Sequence, residues 1–352
     1  MSLADRLAAR ALELIDVASE SRGEEALAGH VLGLLAEGGI DARDAGDTCV
    51  LAGTTARGQR PLVLLAGHLD TVPAQGNRPG RIAEGAVHGL GAADMKGAVA
   101  VMLELLLARP QGDIDVGLVL FGREELPLTE SALTPLLERE PGLRGADAAI
   151  VMEPTANALQ AGCLGNINAT WTFRGRSGHS ARPWLADNAI HAAGRGIAQL
   201  AAVEPRPVSF DGLTFTEVAS VTEIRGGIAS NVVPDEAVAT VNARYAPGRD
   251  AAEAEDWLRG LCAGHGELRI ASNAPSAPVA TGNPLVERLI AAGGLAVEPK
   301  QAWTPVAELA RAGIDAVNFG PGDPAQAHTR GEHVAIDALV RSHETLERFL
   351  CG

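Results

Sequence analysis

Four short apolar runs, each leading into residues able to hold a metal ion, constrain this chain more than any other feature of it. Residues 61–66 (PLVLLA) run through Gly67 to His68 and Asp70, and residues 114–121 (IDVGLVLF) run to Glu124-Glu125. Residues 148–152 deliver Glu153 ahead of Pro154, and residues 314–319 lead through Gly320-Pro321-Gly322 towards His328. Helical patterns at 3–18, 24–37, 95–108 and 284–292 alternate with these runs. Runs that are apolar throughout, interleaved with helices, predict an α/β fold with a mostly parallel central sheet and helices on both faces. Ligands of such sheets gather outside the carboxyl ends of the strands.

The chain changes character near residue 165. Residues 166–173 (NINATWTF) and 238–245 (VATVNARY) alternate in facing, as half-buried strands do, with a helix expected between them at 188–202. After about residue 276 the earlier style returns and closes with a helix expected at 333–350. The expected organisation is one α/β domain, 1–165 and 276–352, interrupted by a smaller α+β domain at 166–275.

Charge removes some functions. With a net charge of −15 the chain has no basic excess to meet phosphates, so nucleic acid is not an expected partner. A small anionic ligand remains open, provided an arginine or lysine stands locally to meet it. Cys49, Cys163, Cys262 and Cys351 lack CxxC spacing, which argues against a cysteine zinc site and fits a reducing compartment. Residues 1–19 read as an amphipathic helix rather than a signal peptide, and no apolar run approaches a membrane span. A soluble, cytoplasmic protein with no membrane partner is expected.

Taken singly, the polar residues have ordinary readings. Asp94, in a glycine-rich turn before a helix, suits an N-cap; Glu124-Glu125 suits a solvated pair; His68-Leu69-Asp70 suits a hydrogen-bonded turn. Their joint placement favours a metal centre, because converging carboxylates repel one another without a cation between them. His68, Asp94, Glu125, Glu153 and His328 make a mixed nitrogen and oxygen set suited to two Zn²⁺, with Co²⁺ or Mn²⁺ able to substitute. Asp94 is the natural bridge, since its two oxygens can face different ions. Asp70 is expected to accept the proton on the other ring nitrogen of His68. Glu124, which cannot easily share a metal with its neighbour, is expected to act as general base towards a metal-activated water.

Six segments carry a family resemblance: GHLDTVP at 67–73, GLGAADMKGAVA at 89–100, REE at 123–125, MEPT at 152–155, GHSARPWLADNAIHAA at 178–193 and NFGPGDPAQAHTRGEHV at 318–334. In this order they resemble the M20 family of zinc aminoacylases and peptidases, and within it the succinyl-diaminopimelate desuccinylases most. The resemblance implies one metal held by His68, Asp94 and Glu153, a second held by Asp94, Glu125 and His328, and a cis peptide at Asp94-Met95. It makes the insert a lid and dimerisation domain, whose His179 reaches the active site of the partner subunit and stabilises an oxyanion. Arg182, Asn231 and Arg244 are implied as substrate-binding residues. On its own, Arg244 also suits an ion pair at a strand edge. The Gly320–Gly322 loop is expected to shape the floor near His328, with the backbone of Gly322 open to substrate.

The implied activity is hydrolysis of the amide of N-succinyl-L,L-diaminopimelate by a homodimer that takes small anionic N-acyl amino acids. The alternatives are another amidohydrolase such as an N-acetylornithine deacetylase, an enzyme working with one ion, and a binding protein that keeps the fold. One departure bears on the substrate. Pro305 and Glu308 stand where the desuccinylases carry an aspartate and an arginine.

Overall fold

In the computed structural model, which describes residues 1–352, the strand Leu62–His68 is buried along its whole length. A strand covered on both faces needs apolar side chains on both, which is why its sequence does not alternate. Each Leu or Val buried there contributes about 1.5–3 kcal/mol. The strand pairs in parallel with Asp115–Phe121 on one side and Ala148–Val151 on the other, and Ala316–Asn318 adds in parallel beyond the latter. Outside this parallel centre the eight-stranded sheet is mixed: Cys49–Gly53 joins Asp115–Phe121 antiparallel, and Leu159–Ala161 joins Ala316–Asn318 antiparallel.

This sheet belongs to a unit made of Met1–Gly162, Ala280–Glu298 and Thr304–Gly352. Its helix Gly97–Ala108 is apolar around most of its circumference, because it packs between the sheet and the helices Leu3–Asp16 and Ile336–Cys351. Glu104, the charged residue of that helix, is buried and accepts from Arg6 Nε at 3.3 Å and Arg10 Nε at 3.1 Å. The helix Leu3–Asp16 begins on a reciprocal cap in which Ser2 Oγ accepts from the Asp5 N–H and the Asp5 carboxylate accepts from the Ser2 N–H.

Two helix starts differ from expectation. The helix expected from residue 95 begins at Gly97, because Asp94 (φ −129°, ψ 90°) and Met95 (φ −135°, ψ 33°) lie outside helical geometry. The helix expected from residue 333 begins at Ile336, because His333–Ala335 is a strand paired antiparallel with Ala86–His88.

On that last helix His343 is 3% exposed, and neither ring nitrogen has a hydrogen-bond partner. Burial, the largest influence, holds its pKa below the ordinary imidazole value; Arg6 acts the same way, while Glu347, Glu104 and Glu344 oppose. The unfolded chain therefore takes this proton more readily than the folded one. The neutral ring's stability contribution is complete above about pH 6.5 and is lost as pH falls towards the folded pKa. His343→Leu is expected to lessen the drop in thermal midpoint between about pH 7.5 and about pH 5.5. Equal drops in variant and parent count against it.

The other unit, Cys163–Val279 with Pro299–Trp303, holds a five-stranded antiparallel sheet. Its order is Arg206–Phe210, Leu213–Gly226, Glu236–Tyr245, Gly165–Arg174, Glu267–Ala274. Along Gly165–Arg174 buried and half-buried residues alternate, and Ile167, Ala169, Trp171 and Phe173 share a core with Ala193, Leu200, Ala254 and Leu258 of two helices. One face packs and the other stays open, the usual state of an antiparallel sheet. The strand Leu213–Gly226 pairs with Arg206–Phe210 along Leu213–Glu217 and with Glu236–Tyr245 along Val218–Gly226, so beyond Glu217 its other edge is open.

Candidate metal centre

His68 closes its strand and is 1% exposed. Its Nδ1–H donates to the backbone carbonyl of Asp70 at 3.0 Å, which leaves Nε2 facing Asp94 Oδ1 at 3.1 Å and Glu153 Oε1 at 3.8 Å. Fixing the proton on one nitrogen frees the other for a ligand bond. Gly67 makes the approach of Asp94 feasible, because a Cβ there would overlap Met95 Cε and stand 2.8 Å from Met102 Cε. Met95 therefore packs over the strand end, and its Sδ accepts from the His68 N–H at 3.3 Å. The Asp94-Met95 peptide is cis.

Asp70 differs from its expected role. Its carboxylate lies 3.6 Å from His68 Nδ1, and it is the carbonyl of the same residue that takes the imidazole proton. The carboxylate is committed elsewhere: Oδ1 accepts from the Glu124 N–H at 2.9 Å, and Oδ2 from the Glu125 N–H at 3.1 Å and from Ser21 Oγ at 2.8 Å. Asp70 thus holds the backbone of the Glu124-Glu125 pair in place beside the histidine. A buried carboxylate with three donors is fully satisfied.

Glu153 follows Ala148–Val151 and is buried. The glycine loop crosses over it, since a Cβ on Gly320 would overlap the Met152 carbonyl and one on Gly322 would overlap the Ala93 carbonyl. The Gly322 carbonyl accepts from the Ala156 N–H at 2.7 Å. Gly322 lets the segments carrying Asp94 and Glu153 close on each other. His328 is half-exposed and sits at φ 61°, a left-handed conformation that costs a non-glycine residue about 1–3 kcal/mol and clusters at functional sites. Its Nε2 lies 2.9 Å from Glu125 Oε1 and 3.6 Å from Asp94 Oδ2.

Ligand atoms of His68, Asp94 and Glu125 lie within 4.8 Å of one another, and so do those of His68, Glu124 and Glu153. With His328 against Glu125 and Asp94, all five expected ligands and Glu124 converge. Four carboxylates and two imidazoles share this space, and Glu124, His68 and His328 hold their protons tightly. Burial pushes the Glu124 carboxyl well above the usual range, and Glu153, Glu125 and Asp94 add to this against the pull of His68. Burial works against the His68 proton, but Asp94, Glu124 and Asp70 outweigh it and raise His68 well above an ordinary imidazole. His328 is raised to about 9, first by its hydrogen bond with Glu125. Divalent cations would replace these protons as the compensating charge, and the mixed donors match zinc, cobalt or manganese. The residues present fit a two-ion centre.

Residues 64–351 match peptidase family M20/M25/M40. The chain belongs to this family. It is 38% identical over 346 residues, covering 96% of each chain, to a protein of Mycobacterium tuberculosis (strain ATCC 25618 / H37Rv) whose own assignment as a succinyl-diaminopimelate desuccinylase is provisional. A succinyl-diaminopimelate desuccinylase of Corynebacterium glutamicum is 35% identical over 309 residues, covering 86% of this chain and 84% of that one. Among solved structures, an M20 family metallo-carboxypeptidase from Sulfolobus solfataricus superposes with a TM-score of 0.79 over 99% of both chains, at 17% identity that speaks for the fold alone. Family and donor set together make this M20 chain a metal-dependent amidohydrolase.

The lid residues implied by the M20 resemblance all lie in the second unit, but not together. His179 is exposed, in the two-residue strand Gly178–His179, and its Nδ1 accepts from the Ala181 N–H at 3.0 Å. The Arg182 N–H donates to the His179 carbonyl at 2.8 Å and the Ser180 N–H to the Asn231 carbonyl at 3.0 Å, so His179, Arg182 and Asn231 share one loop cluster. Arg244 lies near the far end of Glu236–Tyr245, roughly 25 Å along the strand by its rise per residue. There its Nε donates to Asn242 Oδ1 at 3.0 Å, and burial lowers its pKa, against a smaller raising influence of Cys163.

The charge reversal at Glu308 is absorbed by the fold of this M20 chain. Its carboxylate is buried and accepts from Ser131 Oγ, from Thr134 Oγ1 at 2.6 Å and from the Thr134 N–H at 3.0 Å. These donors stand at the first turn of the helix Leu133–Arg139, where negative charge is favoured. Pro305 caps the helix Val306–Arg311. Sequence reasoning missed Glu332 altogether. Its carboxylate accepts backbone N–H groups of Gly91, Ala93 and Asp94, which lie 241, 239 and 238 positions away, so no local spacing announces it.

Proposed function

We propose that this chain hydrolyses N-succinyl-L,L-diaminopimelate to succinate and L,L-diaminopimelate. The observation that carries the reading is the convergence of His68, Asp94, Glu125, Glu153 and His328 around Glu124, in a chain whose relatives bear that activity in their names. We assign one Zn²⁺ to His68, Asp94 and Glu153 and a second to Asp94, Glu125 and His328, with Co²⁺ or Mn²⁺ as substitutes. When bound, such ions supply Lewis acidity, polarising the amide carbonyl and acidifying a water.

Glu124 takes a proton from the attacking water on its carboxylate and returns it to the amide nitrogen as the C–N bond breaks, giving a carboxylate and an amine. Asp70 keeps Glu124 at its post through the backbone. His179 donates to the oxyanion that develops on the carbonyl. Arg244, half-buried and hydrogen-bonded through Nε to a neutral amide, suits a substrate carboxylate, as do Arg182 and Asn231.

Because Arg244 stands far along the strand from His179, Arg182 and Asn231, a complete pocket is expected to need two copies of the chain. The second unit is then both lid and dimer contact, with the open edge beyond Glu217 as the pairing surface. No helix of the chain is long and apolar enough to cross a membrane, and four cysteines that lack CxxC spacing suit the reducing cytoplasm in which we place it. Amine release from a panel of N-succinyl and N-acetyl amino acids is expected to favour succinyl-diaminopimelate by about tenfold or more in kcat/KM. A preference for N-acetylornithine replaces this substrate, and sedimentation of the active protein as a monomer removes the two-copy pocket.

A further inference from the structure

We propose that Glu332 is a positioning residue for the metal centre, tying the turn that carries Asp94 to the loop that carries His328 and so setting the spacing between those two ligands. Glu332 is 2% exposed. Its Oε1 accepts from the Ala93 and Asp94 N–H groups, both at 3.0 Å, and its Oε2 from the Gly91 N–H at 2.9 Å. With both oxygens committed to amides, this carboxylate is not itself a ligand. Its backbone binds the same turn, since the Gly89 N–H donates to the Glu332 carbonyl at 3.0 Å. The next residues, His333–Ala335, pair with Ala86–His88 just ahead of that turn.

The turn needs such a clamp. Gly91 is left-handed at φ 77°, and Asp94 departs from helical geometry, so the N–H groups of Gly91, Ala93 and Asp94 find their partner in Glu332 rather than in the helix that follows. Orphaned buried amides would let the turn relax, and Asp94 with it. His328 lies on the same loop, a few residues before Glu332, and its Nε2 is 3.6 Å from Asp94 Oδ2. One side chain therefore governs a distance between ligands that belong to distant parts of the sequence.

This inference rests on the two-ion reading of the site, and its test separates the two. Zinc dissociation constants are measured by chelator competition on the full chain for the parent, Glu332→Gln and Val334→Ala, with thermal midpoints of the zinc-free proteins. Glutamine keeps the shape but turns an amide donor towards one of the three N–H groups. Val334 is 1% exposed and its aliphatic side chain accepts no hydrogen bond from them, so its truncation reports on loss of packing alone. Glu332→Gln is expected to weaken zinc binding about 10- to 100-fold, with turnover recovering at high zinc, whereas Val334→Ala lowers the midpoint and leaves zinc affinity near the parent value. Unchanged zinc affinity in Glu332→Gln, or an equal loss in Val334→Ala, overturns the role of Glu332. A parent protein that binds no zinc overturns the site itself.

Discussion

Glu124→Ala is expected to lower kcat by about 10³- to 10⁴-fold while zinc content stays near that of the parent protein. The side chain removed is the one expected to move the proton, and none of the five assigned ligands is touched. Its backbone N–H remains bound to Asp70 Oδ1, and the Glu125 N–H to Asp70 Oδ2, so the segment that delivers Glu125 keeps its anchor. Relief of crowding also acts in favour of binding, because burial and the neighbouring Glu153, Glu125 and Asp94 raise the Glu124 carboxyl well above the usual range. KM should move little, since the missing group acts on the transition state rather than on the bound substrate. Turnover within a few-fold of the parent would remove Glu124 from the reaction.

Asp94→Ala is expected to be the most damaging ligand substitution, with a loss on the order of 10³-fold or more, and exhaustive chelation of the parent protein should match it. Asp94 faces both His68 at 3.1 Å and His328 at 3.6 Å, through different oxygens. With two ions assigned as proposed, its removal would take a donor from both at once, and Lewis-acid assistance worth several kcal/mol corresponds to three or more decades in rate. It also removes the chief charge that holds the His68 proton against burial. Readdition of zinc should restore the chelated parent and not the variant. Activity that survives chelation would defeat the metal reading of the whole site.

The two units became legible to different degrees. Residues 61–66 announced a doubly covered strand because burial on both faces leaves an unbroken apolar run, and the strand is buried along Leu62–His68. Residues 166–173 announced the other kind of sheet by alternation, and Gly165–Arg174 alternates in burial. The edge strand Ala42–Gly46 (ARDAG) carries no such pattern, since half-exposed residues on both faces give burial nothing to sort. The strand Leu213–Gly226 went unread as well, and the length of its unpaired edge is a property of the sheet, not of the segment.

The same division runs through the site. The sequence by itself determined which side chains gather at the candidate centre, because His68, Asp94, Glu124, Glu125 and Glu153 each sit within a few residues of the element that aims them, and a local motif records a local geometry. Tertiary structure alone decided what holds them there. Asp70 serves the Glu124-Glu125 backbone, Glu308 serves a helix start about 175 positions back, and Glu332 serves the Asp94 turn about 240 positions back. A hydrogen bond depends on two atoms meeting in space, and between residues so far apart that meeting is settled by the packing of the sheet and its helices.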